Sequence, residues 1–264
     1  MLNMKNKKKI LCIIQARMTS SRLPGKSMKD LSGKPAIQRV IERAMKSSLI
    51  SDLWLACSNH KEDDILELFA IKNNINIYRG SMNDVLSRYV NISKKNDPDI
   101  IVRITGDCPL IDPEIIDLVI KMHMSTDSDY TSNTLTRSYP DGLDVEVFSS
   151  IALYEADLYS NNSFMREHVT PYIHGRLSDR FPSGDYKREQ LVSPIDYSKY
   201  RWTLDEEKDL IFLNKVFNNL NDHCTWNDVI NLLEEKPELV NINKGIEFNE
   251  GSLIGLRKYK DKSD

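Results

Sequence analysis

The chain changes character at residue 16. Residues 10–15 (ILCIIQ) are apolar at almost every position, the pattern of a strand buried on both faces rather than a half-exposed, alternating one. Residues 16–26 (ARMTSSRLPGK) are basic and rich in hydroxyls, and read as a loop leaving the end of that strand. Helical spacing at Ile37, Val40, Ile41 and Ala44 then predicts a helix over residues 34–46, with Pro35 acceptable in its first turn. A strand at 53–57, a helix at 62–72 with Ile65, Leu68 and Phe69 on one face, and a strand at 75–78 follow. Ser81 stands three residues before Asp84, a capping-box spacing with Asp in place of Glu, and predicts a helix start ahead of Val85, Leu86, Tyr89 and Ile92. Residues 100–104 (IIVRI) predict another strand, and 113–124 another helix. Four alternations of strand and helix predict an α/β chain with a doubly wound, mainly parallel sheet.

Past Asp129 the rhythm breaks. A turn at Pro140, Asp141 and Gly142 precedes the alternating run 143–148, which predicts a hairpin excursion. Helices are expected at 151–159, through SFMREHVTPYIHGRL up to a break near Pro171, at 206–217 and at 226–235, with an edge strand near 187–192. The tail from Lys236 is polar with a Gly-rich stretch and is expected to pack loosely. No repeat or low-complexity linker divides the chain, so residues 1–264 read as one domain with a core over about 9–220 and a C-terminal helix and tail over 221–264.

Composition narrows the class. The net charge of −3 speaks against a general nucleic-acid binder, because the cations are gathered in particular loops instead of forming an overall excess. Cys12, Cys57, Cys108 and Cys224 are far apart and form no CxxC pair, which suggests neither a zinc site nor a disulfide framework and fits a reducing cytoplasm. No apolar run approaches membrane-spanning length, so no membrane partner is expected, and the basic MLNMKNKKK lead precedes too short an apolar segment for a signal peptide.

Three stretches carry candidate chemistry. The loop at 16–26 places Arg17, Arg22 and Lys26 with Ser21 beyond the carboxyl end of a central strand, where α/β sheets gather ligands and where Arg forks and turn amides suit phosphate oxygens. A merely solvated basic loop is the plainer alternative. The second stretch, RITGDCPLID, follows the strand at 100–104, and if the two strands are parallel Asp107 shares a rim with the basic loop. A carboxylate opposite clustered cations invites a bridging Mg²⁺, and Gly106 allows close backbone approach, although Asp107 would serve equally as a cap or turn residue. In the third, RWTLDEEKDL, Asp205 precedes a helix, and an N-cap is the simpler role.

Taken together, QARMTSSRLPGK followed by SGKP resembles the signature loop of the acylneuraminate and 3-deoxy-manno-octulosonate cytidylyltransferases. RGSMNDVLSRY, RITGDCPLID, PDGLDVEVF, REHVTPYI and RWTLDEEKDL, in that order, resemble the branch named after the spore-coat polysaccharide protein SpsF. The resemblance implies a Rossmann-like nucleotide-diphospho-sugar transferase (GT-A-like) fold, and transfer of CMP from CTP to an acidic sugar or related acceptor. Pyrophosphate would be released, with Mg²⁺ as cofactor, in surface-polysaccharide or glycan synthesis. It assigns Ala16, Arg17, Ser21, Arg22, Lys26 and Gly106 to the nucleotide, with Arg17, Arg22, Lys26 and Asp107 as the catalytic set. Asp107 and Asp205 become the metal pair, and Asp144, Glu146, Arg166, Glu167 and His168 acceptor-site candidates, with Arg166 or Arg137 to meet a carboxylate. Relatives in the branch are often homodimers, for which the excursion after Asp129 is the expected interface.

One departure from the pattern is a less acidic SMNDVLSRY, with Asn83 and Ser87 where relatives usually carry Asp. Two other readings remain. A glycosyltransferase would use a DxD motif, present here as Asp97-Pro-Asp99 and Asp127-Ser-Asp129, although the first precedes its strand and the second reads as a strand start. A non-catalytic nucleotide-binding relative is the third, against which the intact Arg17, Arg22, Lys26 and Asp107 argue.

Overall fold

A computed structural model describes residues 8–246. In chain order its elements are β1 (Ile10–Gln15), a small ribbon of β2 (Asp30–Leu31) and β3 (Lys34–Pro35), α1 (Ala36–Ala44), β4 (Asp52–Ser58), α2 (Asp64–Lys72), β5 (Asn76–Gly80), α3 (Val85–Asn96), β6 (Ile100–Thr105), α4 (Pro113–Thr126), β7 (Tyr130–Ser132) and β8 (Glu146–Ser149). There follow α5 (Ser150–Tyr159), α6 (Ser163–His168), α7 (Pro171–His174), β9 (Arg188–Gln190), α8 (Glu207–Asn219) and α9 (Trp226–Glu235).

The apolar run of β1 is explained by its place between β4 and β6, parallel to both. Leu11 and Ile13 enter one core layer while Cys12 and Ile14 enter the other, so every position must be apolar. The sheet has seven strands in the order β5-β4-β1-β6-β8-β7-β9. Only β8 runs antiparallel to its neighbours β6 and β7, so the sheet is mainly parallel. One layer packs α1, α2, α4, α8 and α9 on the sheet and the other packs α3, α5, α6 and α7, giving the doubly wound arrangement. All four cysteines are buried. Among the described residues no helix is long and apolar enough to cross a membrane.

The excursion after Asp129 is a wide hairpin whose return strand is inserted in the sheet beside β6, with Arg103 opposite Glu146. Its alternating sequence is buried on both faces: Val147 lies in one core layer and Phe148 in the other, with Glu146 itself 9% exposed. The turn at Pro140 to Leu143 closes as expected, with the Leu143 amide donating to the Pro140 carbonyl at 3.2 Å. It presses on residues 202 and 203: Gly142 has φ +110°, and a Cβ there would meet the Trp202 carbonyl carbon at 2.6 Å.

Several boundaries differ from the sequence reading, each for a local reason. Lys34 and Pro35 pair with β2 and are not helical. Helix α3 begins at Val85 because Asp84 caps it, accepting from the Ser87 amide at 2.9 Å. Ser81 instead shapes the preceding turn, accepting from the Asp84 amide at 3.2 Å. The break after α6 falls at Val169, at φ +70°, and Pro171 opens α7 in the first-turn position that proline suits. The tail does not pack loosely as far as Asn243, since Leu239 and Asn243 are buried. The basic lead and most of the Gly-rich stretch lie outside the described residues.

Candidate active site

Strands β1 and β6 run in register to Gln15 opposite Thr105, so the basic loop and the Gly106-Asp107 step leave the sheet side by side at its carboxyl edge. The Gly106 amide donates to the Gln15 carbonyl at 2.8 Å. A Cβ at Gly106 would lie 2.9 Å from both the Ala16 Cβ and the Gln15 oxygen, so glycine is what permits this approach. The loop closes on itself where the Gly25 amide donates to the Met18 carbonyl at 3.0 Å, and Lys26 opens the following turn.

Lys26 is the centre of the arrangement. Its ammonium donates to Asp107 Oδ2 and to Asp205 Oδ1, both at 2.6 Å. Burial alone would raise the Asp107 carboxyl, but the Lys26 charge and hydrogen bond and the Thr105 hydroxyl outweigh it and hold the group down at about 2. Burial would lower Lys26, and the two carboxylates reverse that and raise it. Asp205 arrives because residues 203 and 204 hydrogen-bond to the Asp107 carbonyl, the Leu204 amide at 2.8 Å and the Thr203 hydroxyl at 3.3 Å. It is not the N-cap of α8. Glu206 holds that position, and Asp209 accepts from the backbone amides of Asp205 and Glu206, each at 3.0 Å. The Asp205 carboxylate is thereby left for Lys26, for Arg22, which approaches it at 3.2 Å, and for Arg201 at 3.5 Å.

The cleft around these groups has two lobes that share Gln15, Arg17, Lys26, Thr105, Asp107, Glu167 and His168. Ala16, Ser27, Arg88 and Gly106 line the first. The second encloses about 430 Å³, within the range of small-molecule sites, and is lined by Ser21, Arg22, Asp144, Glu146 and Asp205 among others. Arg17 is exposed at the junction and faces Glu167 at 3.3 Å. Asp144 is held bidentately by Arg137 at 2.7 and 2.8 Å. Glu146 is paired with Arg103 at 2.9 Å and accepts from the Thr170 hydroxyl, and Arg103 keeps its carboxyl below the usual range despite burial. Burial pushes the His168 imidazole down to about 4, and its Nε2 is buried without a hydrogen-bond partner.

Arg166, expected at the acceptor, is not among the residues lining either lobe. Its guanidinium is taken by Asp84 and Asp157, at 2.7 and 2.8 Å, which ties α6 to the N-cap of α3 and the last turn of α5. We therefore expect Arg166→Ala to lower the thermal midpoint while leaving the KM for the acceptor unchanged; a rise in that KM alone would return Arg166 to the site. Asn83 is exposed and Ser87 sits in the first turn of α3, and neither lines the cleft. Of the DxD segments, Asp99 precedes β6 at the opposite end of the sheet and accepts from the Lys9 amide, while Asp129 precedes β7.

The sequence reading missed Arg103, Asp141, Thr170, His174 and Arg176, which line the second lobe. Arg103 had a visible signal, a charge inside the apolar run IIVRI. Asp141 is raised to about 7, by burial first and then by the nearby Asp144 carboxylate. Because its folded value lies above the unfolded one near 4, folding is favoured by its proton at low pH and that contribution is lost as pH rises from about 4 to 7. Urea titrations should show Asp141→Asn gaining stability relative to the wild type across that window. A constant difference between pH 4.5 and 7.5 would contradict the assignment.

A family model described as Cytidylyltransferase matches residues 11–220. The chain is 32% identical over 238 residues to the spore coat polysaccharide biosynthesis protein SpsF of Bacillus subtilis, covering 87% of this chain and 95% of that one. It is 39% identical over 115 residues to a 3-deoxy-manno-octulosonate cytidylyltransferase of Chloroherpeton thalassium, covering 42% and 45% of the two chains. In structure it is similar to a cytidylyltransferase from Leptospira borgpetersenii, with TM-score 0.83, 31% identity, and coverage of 91% of this chain and 100% of that chain.

Proposed function

The chain belongs to the cytidylyltransferase family, and we propose that it transfers CMP from CTP to a hydroxyl of an acidic, sugar-like acceptor, releasing pyrophosphate, in the synthesis of a surface polysaccharide or glycan. The observation that carries this reading is the meeting of Lys26, Asp107 and Asp205 beside a basic loop at the carboxyl ends of β1 and β6. The first lobe takes the nucleoside, and the second takes the leaving phosphates beside Ser21 and Arg22 together with the acceptor; that Lys26 and Asp107 line both lobes supports an α-phosphorus between them.

The acceptor oxygen attacks the α-phosphorus in line and pyrophosphate leaves, so the protein contributes mainly position and charge. Arg17, Arg22 and Lys26 offset the negative charge that grows on the leaving phosphates, and the donors of the loop hold the triphosphate still. Asp107 and Asp205 are hard oxygen donors that converge on one cationic centre, now the Lys26 ammonium. Among the described residues no group of three or more His, Cys, Asp or Glu forms a metal cluster, so a bound ion would draw its other ligands from water and phosphate, as Mg²⁺ does. Mg²⁺ held by this pair would polarise the α-phosphate. With burial keeping His168 neutral, its unpartnered Nε2 is suited to a hydrogen bond with an acceptor hydroxyl rather than to carrying charge.

The test is pyrophosphate release from each common nucleoside triphosphate against a panel of 3-deoxy-keto-acid sugars. Release that needs both CTP and one acceptor is expected. Release of a nucleoside diphosphate from a nucleotide sugar, without pyrophosphate, would favour a glycosyltransferase instead.

A further inference from the structure

Asp205 reaches the cleft through a relay that ends beyond α9, outside the matched residues 11–220. Asp209, fully buried, is the hub of that relay. Its Oδ2 accepts from the amides of Asp205 and Glu206 and from Arg201 Nη2, each at 3.0 Å. Its Oδ1 accepts from Arg201 Nε at 3.0 Å and from Asn243 Nδ2 at 2.9 Å. Asn243, itself 5% exposed, also donates to the Arg201 carbonyl at 3.0 Å. The amide thus grips the chain on both sides of Asp205: at the carbonyl of Arg201 before it, and at the carboxylate of Asp209 after it.

We propose that Asn243 is a positioning residue for Asp205, so that the segment following α9 belongs to the nucleotidyl-transfer site. This rests on the reading of Asp205 as a metal ligand. Without the Asn243 amide, Asp209 Oδ1 keeps only the Arg201 Nε bond, and the carboxylate that fixes the Asp205 and Glu206 amides is held less tightly, by Arg201 and those amides alone. The Arg201 carbonyl loses the Asn243 hydrogen bond at the same time. Outer partners of this kind typically affect metal affinity or turnover by about 10–100-fold.

Binding of Mn²⁺ in the presence of CTP, read by electron paramagnetic resonance, provides the test apart from turnover. Asn243→Ala should weaken Mn²⁺ binding and lower kcat, each by about 10-fold, with the KM for CTP little changed. Leu233→Ala, a core truncation in α9 away from the relay, should cost at least as much thermal stability while keeping Mn²⁺ affinity. Wild-type Mn²⁺ affinity in Asn243→Ala, or an equal loss in Leu233→Ala, overturns the proposal. Asp205→Asn separates the two levels: if it loses Mn²⁺ and Asn243→Ala does not, the positioning role alone is wrong; if it retains Mn²⁺, the metal reading fails and the positioning role with it.

Discussion

Asp107→Asn should lower pyrophosphate release by about 10³-fold or more while the protein remains folded. Asn matches Asp in size, the Asp107 backbone carbonyl still receives the Leu204 amide, and the Gly106 contact with β1 is untouched. What disappears is the charge. The Asp107 carboxylate is held at about 2 by Lys26, so it is fully ionised at neutral pH and supplies half of the oxygen pair around the cationic centre. An amide offers one neutral oxygen, a poor ligand for a hard cation. Steady-state kinetics with CTP and the acceptor, with circular dichroism as the check on folding, measure this directly. Activity within a few fold of wild type would remove Asp107 from the reaction.

Lys26→Met has the second largest expected effect, and it is felt twice. Turnover should drop by about 10²–10³-fold, because the triphosphate loses the cation that lies at the junction of both lobes. Stability should drop as well, since Asp107 and Asp205 then face each other with no ammonium between them. The sign with pH follows from the pairing. In the wild type Lys26 depresses Asp107, so its contribution is present above the unfolded carboxyl value near 4 and is lost as pH falls towards 2. In the variant the like-charge pair raises a carboxyl, so the destabilisation should be larger at pH 8 than at pH 4.5. Urea titrations of both proteins at those two pH values check it; a loss independent of pH would show that Lys26 acts by packing rather than by charge.

The parts of the site that sequence made legible are those where composition and local position agree. The β1 run could only be a doubly buried strand, and the cations after it had to leave its carboxyl end. Asp107 followed a second such strand, and the parallel pairing of the two strands brought it to the same rim. Asp205 was ambiguous because Asp before a helix is usually a cap. The ambiguity resolves through Asp209, three residues beyond the true N-cap, whose side chain does the capping and releases Asp205. Arg166 lies outside both lobes for the opposite reason. Its motif is next to the cleft, but the Asp84 cap and Asp157 capture its guanidinium, contacts made across 82 and 9 residues that no local pattern displays. The start of α3 shifted because two polar residues, Ser81 and Asp84, compete for one cap, and the tail proved ordered to Asn243 because its partner is a buried carboxylate on another helix.

The central claim, that this cleft moves the α-phosphoryl group of CTP with its nucleoside onto an acceptor hydroxyl, is tested most directly by following label from CTP radiolabelled at either the α or the γ phosphorus. With acceptor and Mg²⁺ present, α label should appear in a new CMP-acceptor product and γ label in pyrophosphate, both disappearing in Asp107→Asn. Label from the γ position on the acceptor, or α label recovered only as free nucleotide, would contradict it.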